Sequence, residues 1–287
     1  NTIYLYYVYK SKKNGIKKHD YYERMIKSNH YASLLRMIYA FIESVPQLVL
    51  QFYLIVKEHE NPKDCEDISI YRHIIRRSSV LFSWVSVTWS VTASYQAIRV
   101  SNAMYKPRQK TVFAATGCFL WRAFEIGPRV MALVMLILVN SFGFAVTVVF
   151  HWIAMVTWSF ATTEMRLYKK TYENIIFILF VGFVQIFSFM IFRPSKSQED
   201  AKSTNPNKTR KDAKNDNSIQ TEYHALFYYF FVYIENTIIL ILWILVKNNS
   251  FCPWIYHRSI GIVSGGLICN IVFMIFYKLC NPKASIW

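Results

Sequence analysis

Arg36, Glu43, Gln47 and Gln51 stand inside an otherwise apolar stretch, at successive spacings of seven, four and four residues. At 3.6 residues per turn they share one helix face. A second stretch carries Arg122, Glu125 and Arg129, at spacings of three and four, beside Gly127-Pro128, and a third carries Glu235. An ionised group at hydrocarbon depth costs about 3 kcal/mol, so each needs a counter-charge, water or a polar partner. Glu125 can pair with either arginine of its own helix, which leaves one guanidinium for Glu43 or Glu235 to compensate. Two uses follow for these groups. They form either a hydrated track for lipid headgroups or a polar seam that neighbouring helices satisfy. Pro46 and Pro128 each remove a backbone hydrogen bond and are expected to bend their helices.

No pattern calls for covalent chemistry. His151 sits in the apolar string VVFHWIAMVTW without a partner motif, so a packed or hydrogen-bonded role is expected for it. Gly-rich phosphate loops, G-x-S-x-G and H-E-x-x-H are absent. The five cysteines, Cys65, Cys118, Cys252, Cys269 and Cys280, show no metal-ligand spacing. We therefore expect no enzyme activity, no metal and no cofactor. Ser79, Ser83, Ser86, Ser90 and Ser94 fall along one helix face and read as a close-packing seam.

The elements that position these residues are legible from the apolar blocks. The 287 residues are 54% hydrophobic, and the 33 Lys+Arg and 17 Asp+Glu fall mostly between long apolar runs. Such segregation is the mark of a bilayer as solvent, where about 20 apolar residues make one crossing. The basic residues flank these runs and form no single stripe, which argues against a nucleic-acid partner. Seven blocks stand out, at 33–56, 79–98, 118–140, 142–162, 174–192, 224–246 and 257–277. The polar run at Asn140-Ser141 predicts a tight turn and an antiparallel pair. If block 174–192 is re-entrant, Lys and Arg outside the blocks divide 23 to 7 between the two sides; if it crosses, they divide 16 to 14. The positive-inside bias favours the re-entrant arrangement. It places 1–32, 99–117, 193–223 and the C-terminus in the cytosol.

The expected fold is thus all-α and polytopic, with six full spans plus one re-entrant helix. Residues 1–32 form a basic cytosolic segment, and 33–287 form one transmembrane domain. A polar stretch, 194–222, is expected to be a disordered cytosolic loop within it. The apolar opening at 2–9, without an initiating Met, reads as the tail of an earlier element, so the chain is expected to be an N-terminally truncated fragment. FIESVPQLVL (41–50) aligns over YIENTIILIL (233–242), matching Glu43 with Glu235. That repeat predicts two similar halves, the first incomplete, with both glutamates facing the interior at similar depth near block 118–140. Cys65 and Cys252 fall in equivalent loops, where either a disulfide or two separate thiols would fit.

Residues 34–56, LLRMIYAFIESVPQLVLQFYLIV, resemble the L-R-x-x-x-x-x-x-E-x-x-P-Q-L-x-L-Q-x-Y signature of the XK-related family of phospholipid scramblases. The resemblance continues in order through SVTWSVTASYQAIRVSN (86–102), FLWRAFEIGPRVMAL (119–133), FHWIAMVTW (150–158) and YIENTIILILWIL (233–245). It implies eight spans and two re-entrant helices, of which two spans and one re-entrant helix would precede Asn1. It also implies energy-independent movement of membrane phospholipids at the plasma membrane, exposing phosphatidylserine during apoptosis after a caspase cuts a terminal tail. Some relatives in such a family require a single-span membrane partner. This chain departs by its polar insert and by ending at Trp287 with little tail. Ser197-Gln198-Glu199-Asp200 before Ala201 faintly resembles a caspase site. Two other functions fit the same sequence: a non-scrambling subunit that stabilises or traffics a single-span partner, and a small-solute transporter.

Overall fold

Each apolar block supplies a helix, the form in which the backbone satisfies its own hydrogen bonds in hydrocarbon, although the one in block 174–192 ends at Gln185. The computed structural model describes residues 18–58, 70–102, 112–162, 171–190, 210–247 and 253–280. Among these are seven helices and no strand: α1 (Lys18–Lys57), α2 (Ile70–Asn102), α3 (Val112–Val139), α4 (Ser141–Thr162), α5 (Thr171–Gln185), α6 (Arg210–Lys247) and α7 (Pro253–Cys280). Four stretches are long and apolar enough to cross a membrane: Ala32–Lys57, Ser141–Ala161, Ala225–Lys247 and Trp254–Phe276. The chain is an all-helical polytopic membrane protein. The helices α2 and α3 are also long, at 33 and 28 residues, but α2 is rich in hydroxyl groups and α3 carries three charges.

Two helices begin well ahead of their apolar blocks. Residues 18–32 are the opening turns of α1, and residues 210–222, expected to be disordered, are the opening turns of α6. In both cases an apolar span supplies a preformed helix, so the polar residues extend it without paying for nucleation. The remainder of the expected loop, and the pair Cys65 and Cys252, lie outside the described residues. Pro46 and Pro128 lie inside α1 and α3 and end neither helix.

At the centre of the bundle lies α3. Nearly all of it from residue 117 to 136 is buried, and it packs against α1, α2, α4, α6 and α7. Met37, Phe41 and Leu48 of α1, Val87 and Val91 of α2, and Trp121 and Ile126 of α3 fill one half of the core. Met131 and Met135 of α3 with Trp243 of α6 and Val263 of α7 fill the other. The α1–α2 pair is antiparallel: Gln51 Nε2 donates to Ser79 Oγ at 2.6 Å near one end, and Ser94 Oγ donates to the Ser33 carbonyl at 2.7 Å towards the other. Of the serine seam, Ser83 and Ser94 are buried, whereas Ser86 faces outwards. The α3–α7 pair is held just as closely, with Asn270 Nδ2 donating to the Trp121 carbonyl at 3.2 Å and Gly266 against Pro128.

The corner between α3 and α4 is a single residue. Asn140 Oδ1 accepts from the Phe142 and Gly143 amides at 3.0 and 3.1 Å, satisfying two donors that a helix start leaves open. Arg129 and His151, equidistant from Asn140 in sequence, come within 3.3 Å, so the expected antiparallel pair is formed. Asn140→Ala should lower stability by about 1 kcal/mol, measured as a small fall in the melting temperature of the purified protein. An unchanged melting temperature would mean that the corner holds without its cap.

Candidate functional site

The polar residues sort into two groups on opposite sides of α1. The first group is buried and surrounds the end of α5. That helix has 15 residues, roughly 22 Å at 1.5 Å per residue, short of the ~30 Å hydrocarbon core. It stops at Gln185, and the next five residues, 186–190, are non-helical yet buried. Non-helical backbone at such depth survives only where the protein itself supplies partners.

Those partners come mainly from α3. Arg129 Nε donates to the Ile186 carbonyl at 2.9 Å, and Arg122 Nη1 donates to the Phe189 carbonyl at 2.8 Å. Glu125 accepts from the Phe189 amide at 2.7 Å and from Ser188 Oγ at 3.0 Å. Gln185 Nε2 donates to the Met190 carbonyl at 3.0 Å, closing the turn on itself. Two guanidinium groups therefore sit at the negative end of the α5 dipole, where cations are stabilising.

Each charge is also paired. Arg122 meets Glu125 at 2.7 Å, and Arg129 meets Glu235 of α6 at 2.6 Å, with both arginines 1% exposed. Asn236 Oδ1 accepts from Arg129 Nη1 at 2.8 Å, and Tyr229 Oη donates to Glu125 at 3.0 Å. The Arg122 guanidinium lies over the Trp121 ring at 4.3 Å and near Tyr95 at 5.1 Å. His151 has its Nδ1 2.8 Å from Glu235 and its Nε2 3.2 Å from the Gln185 carbonyl. It is a buried, hydrogen-bonded histidine, and the groups around it hold a backbone turn.

The expected framework is thus brought together only in part. Arg122, Glu125, Arg129 and Glu235 meet at the end of α5. Arg36, Glu43 and Gln47 lie on the exposed side of α1, and Gln51 is half-buried against Ser79. The expectation that Glu43 faces inwards beside α3 is not met, because Phe41, Val45 and Leu48 occupy the inner face of α1. The aligned segments do keep a common register at their outer faces, with Ile42 and Ile234, and Leu50 and Leu242, all exposed. They part at the glutamates.

The two groups are mechanically linked. Phe41 of α1 packs edge-on against Phe183 of α5, with centroids 6.4 Å apart, and against Phe187 of the buried turn at 6.2 Å. The ionic cluster fixes the turn, the turn fixes Phe41, and Phe41 fixes which face of α1 turns outwards. Sequence reasoning missed Gln185, Ser188, Tyr229 and Asn236. A usable signal existed for two of them, since Gln185 and Asn236 are amides standing inside apolar spans.

A family model described as "XK-related protein" matches residues 1–282. Among curated relatives, "Endoplasmic reticulum membrane adapter protein XK" of Rattus norvegicus is 27% identical over 259 residues, covering 86% of this chain and 53% of the relative. The Mus musculus protein of the same name is 27% identical over 272 residues, covering 90% and 56%. The chain spans about half the length of these relatives.

Proposed function

The chain belongs to the XK-related family, and from that premise we propose that the protein it comes from moves phospholipids down their gradient across the bilayer, without an energy source and without covalent chemistry. The observation that carries this reading is the outer face of α1, where Arg36, Glu43 and Gln47 are exposed on a helix apolar enough to span. Polar groups exposed there among the described residues offer hydrogen bonds and charges of both signs, which suits a zwitterionic headgroup. The sealed cluster at the end of α5 has a positioning role in this reading. Phosphatidylserine exposure, activation by a caspase and residence in the plasma membrane belong to the same proposal and come from the family resemblance. The cytosolic placement of the basic connections rests on the charge bias.

A second reading is favoured by the relatives' printed name, which describes them as membrane adapters of the endoplasmic reticulum. On that reading the protein holds a membrane partner, including a single-span one, and leaves lipids where they are. Reconstitution of the full-length protein into liposomes containing a fluorescent phospholipid separates the two. Scrambling predicts that an impermeant quencher bleaches nearly all of the fluorescence. An adapter leaves the inner leaflet protected.

A further inference from the structure

At the end of the bundle opposite the start of α1, the cations are arranged around one indole. Trp254, in the first turn of α7, has the Arg77 guanidinium of α2 at 5.9 Å from its ring and that of Arg258, one turn along α7, at 5.2 Å. Both arginines are exposed, and Trp254 is half-buried. Neither arginine has a carboxylate partner among the described residues, in contrast to the adjacent Arg76, which is paired with Glu58. The apolar span of α7 begins at Trp254 itself. That places the indole where tryptophan is enriched, at the boundary of hydrocarbon and headgroups.

Such a group has a distinct chemistry. A cation–π contact with an indole uses none of a guanidinium's N–H donors, so the two cations gathered at this ring keep their donor forks for another acceptor. A phosphate oxygen set is the acceptor that guanidinium forks match in pairs, and phosphodiesters are the anions found at this depth of a bilayer. We propose that Arg77, Trp254 and Arg258 form a seat for the phosphodiester of one phospholipid in the leaflet at this end of the protein. The seat needs only that the helices lie in a bilayer. It is independent of whether the protein scrambles lipids.

The test uses the full chain in nanodiscs of phosphatidylcholine and phosphatidylglycerol, with retained lipids counted by mass spectrometry of the intact protein. The native protein should keep a phospholipid that Arg77→Gln/Arg258→Gln keeps roughly ten-fold less well, the equivalent of about 1.4 kcal/mol. Arg77→Lys/Arg258→Lys should fall between the two, because ammonium groups keep the charge and lose the fork. On the native protein alone, diacylglycerol of the same chains should be retained far less than phosphatidylglycerol, which keeps the test valid if a variant misfolds. Equal retention by native protein and the glutamine variant would overturn the proposal. Equal retention of diacylglycerol would overturn it too, as would displacement of the lipid by inorganic phosphate alone.

Discussion

Replacing Arg129 by Leu should cost about 3–5 kcal/mol, the penalty typical of breaking a buried ion pair from one side. That is a large share of the stability of an ordinary domain. The reason lies in what the side chain holds. One guanidinium serves the Ile186 carbonyl, Asn236 Oδ1 and Glu235, and all three lose it together. Removing it takes the Arg129 charge from Glu235, which keeps only the neighbouring His151 ring, and leaves two further acceptors without that donor, inside a bundle where water is scarce. The purified variant should lose its single dispersed species, or melt far below the native protein. Arg129→Lys keeps the charge but offers one point of attachment, so at least one acceptor is stranded at about 1–3 kcal/mol. Arg129→Leu/Glu235→Leu should recover part of the loss, because the uncompensated carboxylate is gone. A double variant no better than the single one would show that Glu235 is not what Arg129 chiefly compensates.

The second large effect is expected at Gly266, where α7 crosses α3. A Cβ placed there would lie 2.9 Å from Pro128 Cβ and closer still to Pro128 Cγ. Proline has no rotamer with which to move aside, so the helices themselves would have to part. Gly266→Ala should therefore cost about 1–3 kcal/mol by overpacking, and Gly266→Leu should prevent the α3–α7 pair from forming. Small residues allow such close approach between membrane helices. The neighbouring Gly265 provides the control, since nothing lies within 4 Å of a Cβ built on it. Gly265→Ala should be neutral or stabilise the helix by about 0.5–1 kcal/mol. Melting temperatures of the three variants decide the matter, and equal losses at 265 and 266 would refute the contact.

The helices were legible in the sequence because hydrocarbon leaves the backbone few choices. A block such as TVVFHWIAMVTW cannot be anything but helical in a bilayer. The polar starts of α1 and α6 were not legible, since their composition favours solvent and only the attached span makes them helical. The charges of α3 are readable as a set needing compensation, with Glu43 or Glu235 as the outside partner; the structure pairs Arg129 with Glu235. Glu43 was misplaced because its repeat mate shares its local pattern. What separates them is tertiary: α6 turns Glu235 towards Arg129, whereas α1 spends its inner face on Phe41, Val45 and Leu48. The role of the α5 end was hidden for a related reason. Its partners are main-chain atoms, which carry no sequence signal at all.

Burial at the end of α5 and exposure along α1 underlie the proposal that lipid headgroups pass along the exposed polar face of α1. The most direct measurement compares lipid equilibration in liposomes between the full-length native protein and Arg36→Leu/Glu43→Leu/Gln47→Leu. Each of these side chains is exposed, so the variant should remain folded and dispersed. Equilibration should slow at least ten-fold in the variant, a barrier increase of about 1.4 kcal/mol or more. Native rates from a folded variant whose α1 face is wholly apolar would contradict it.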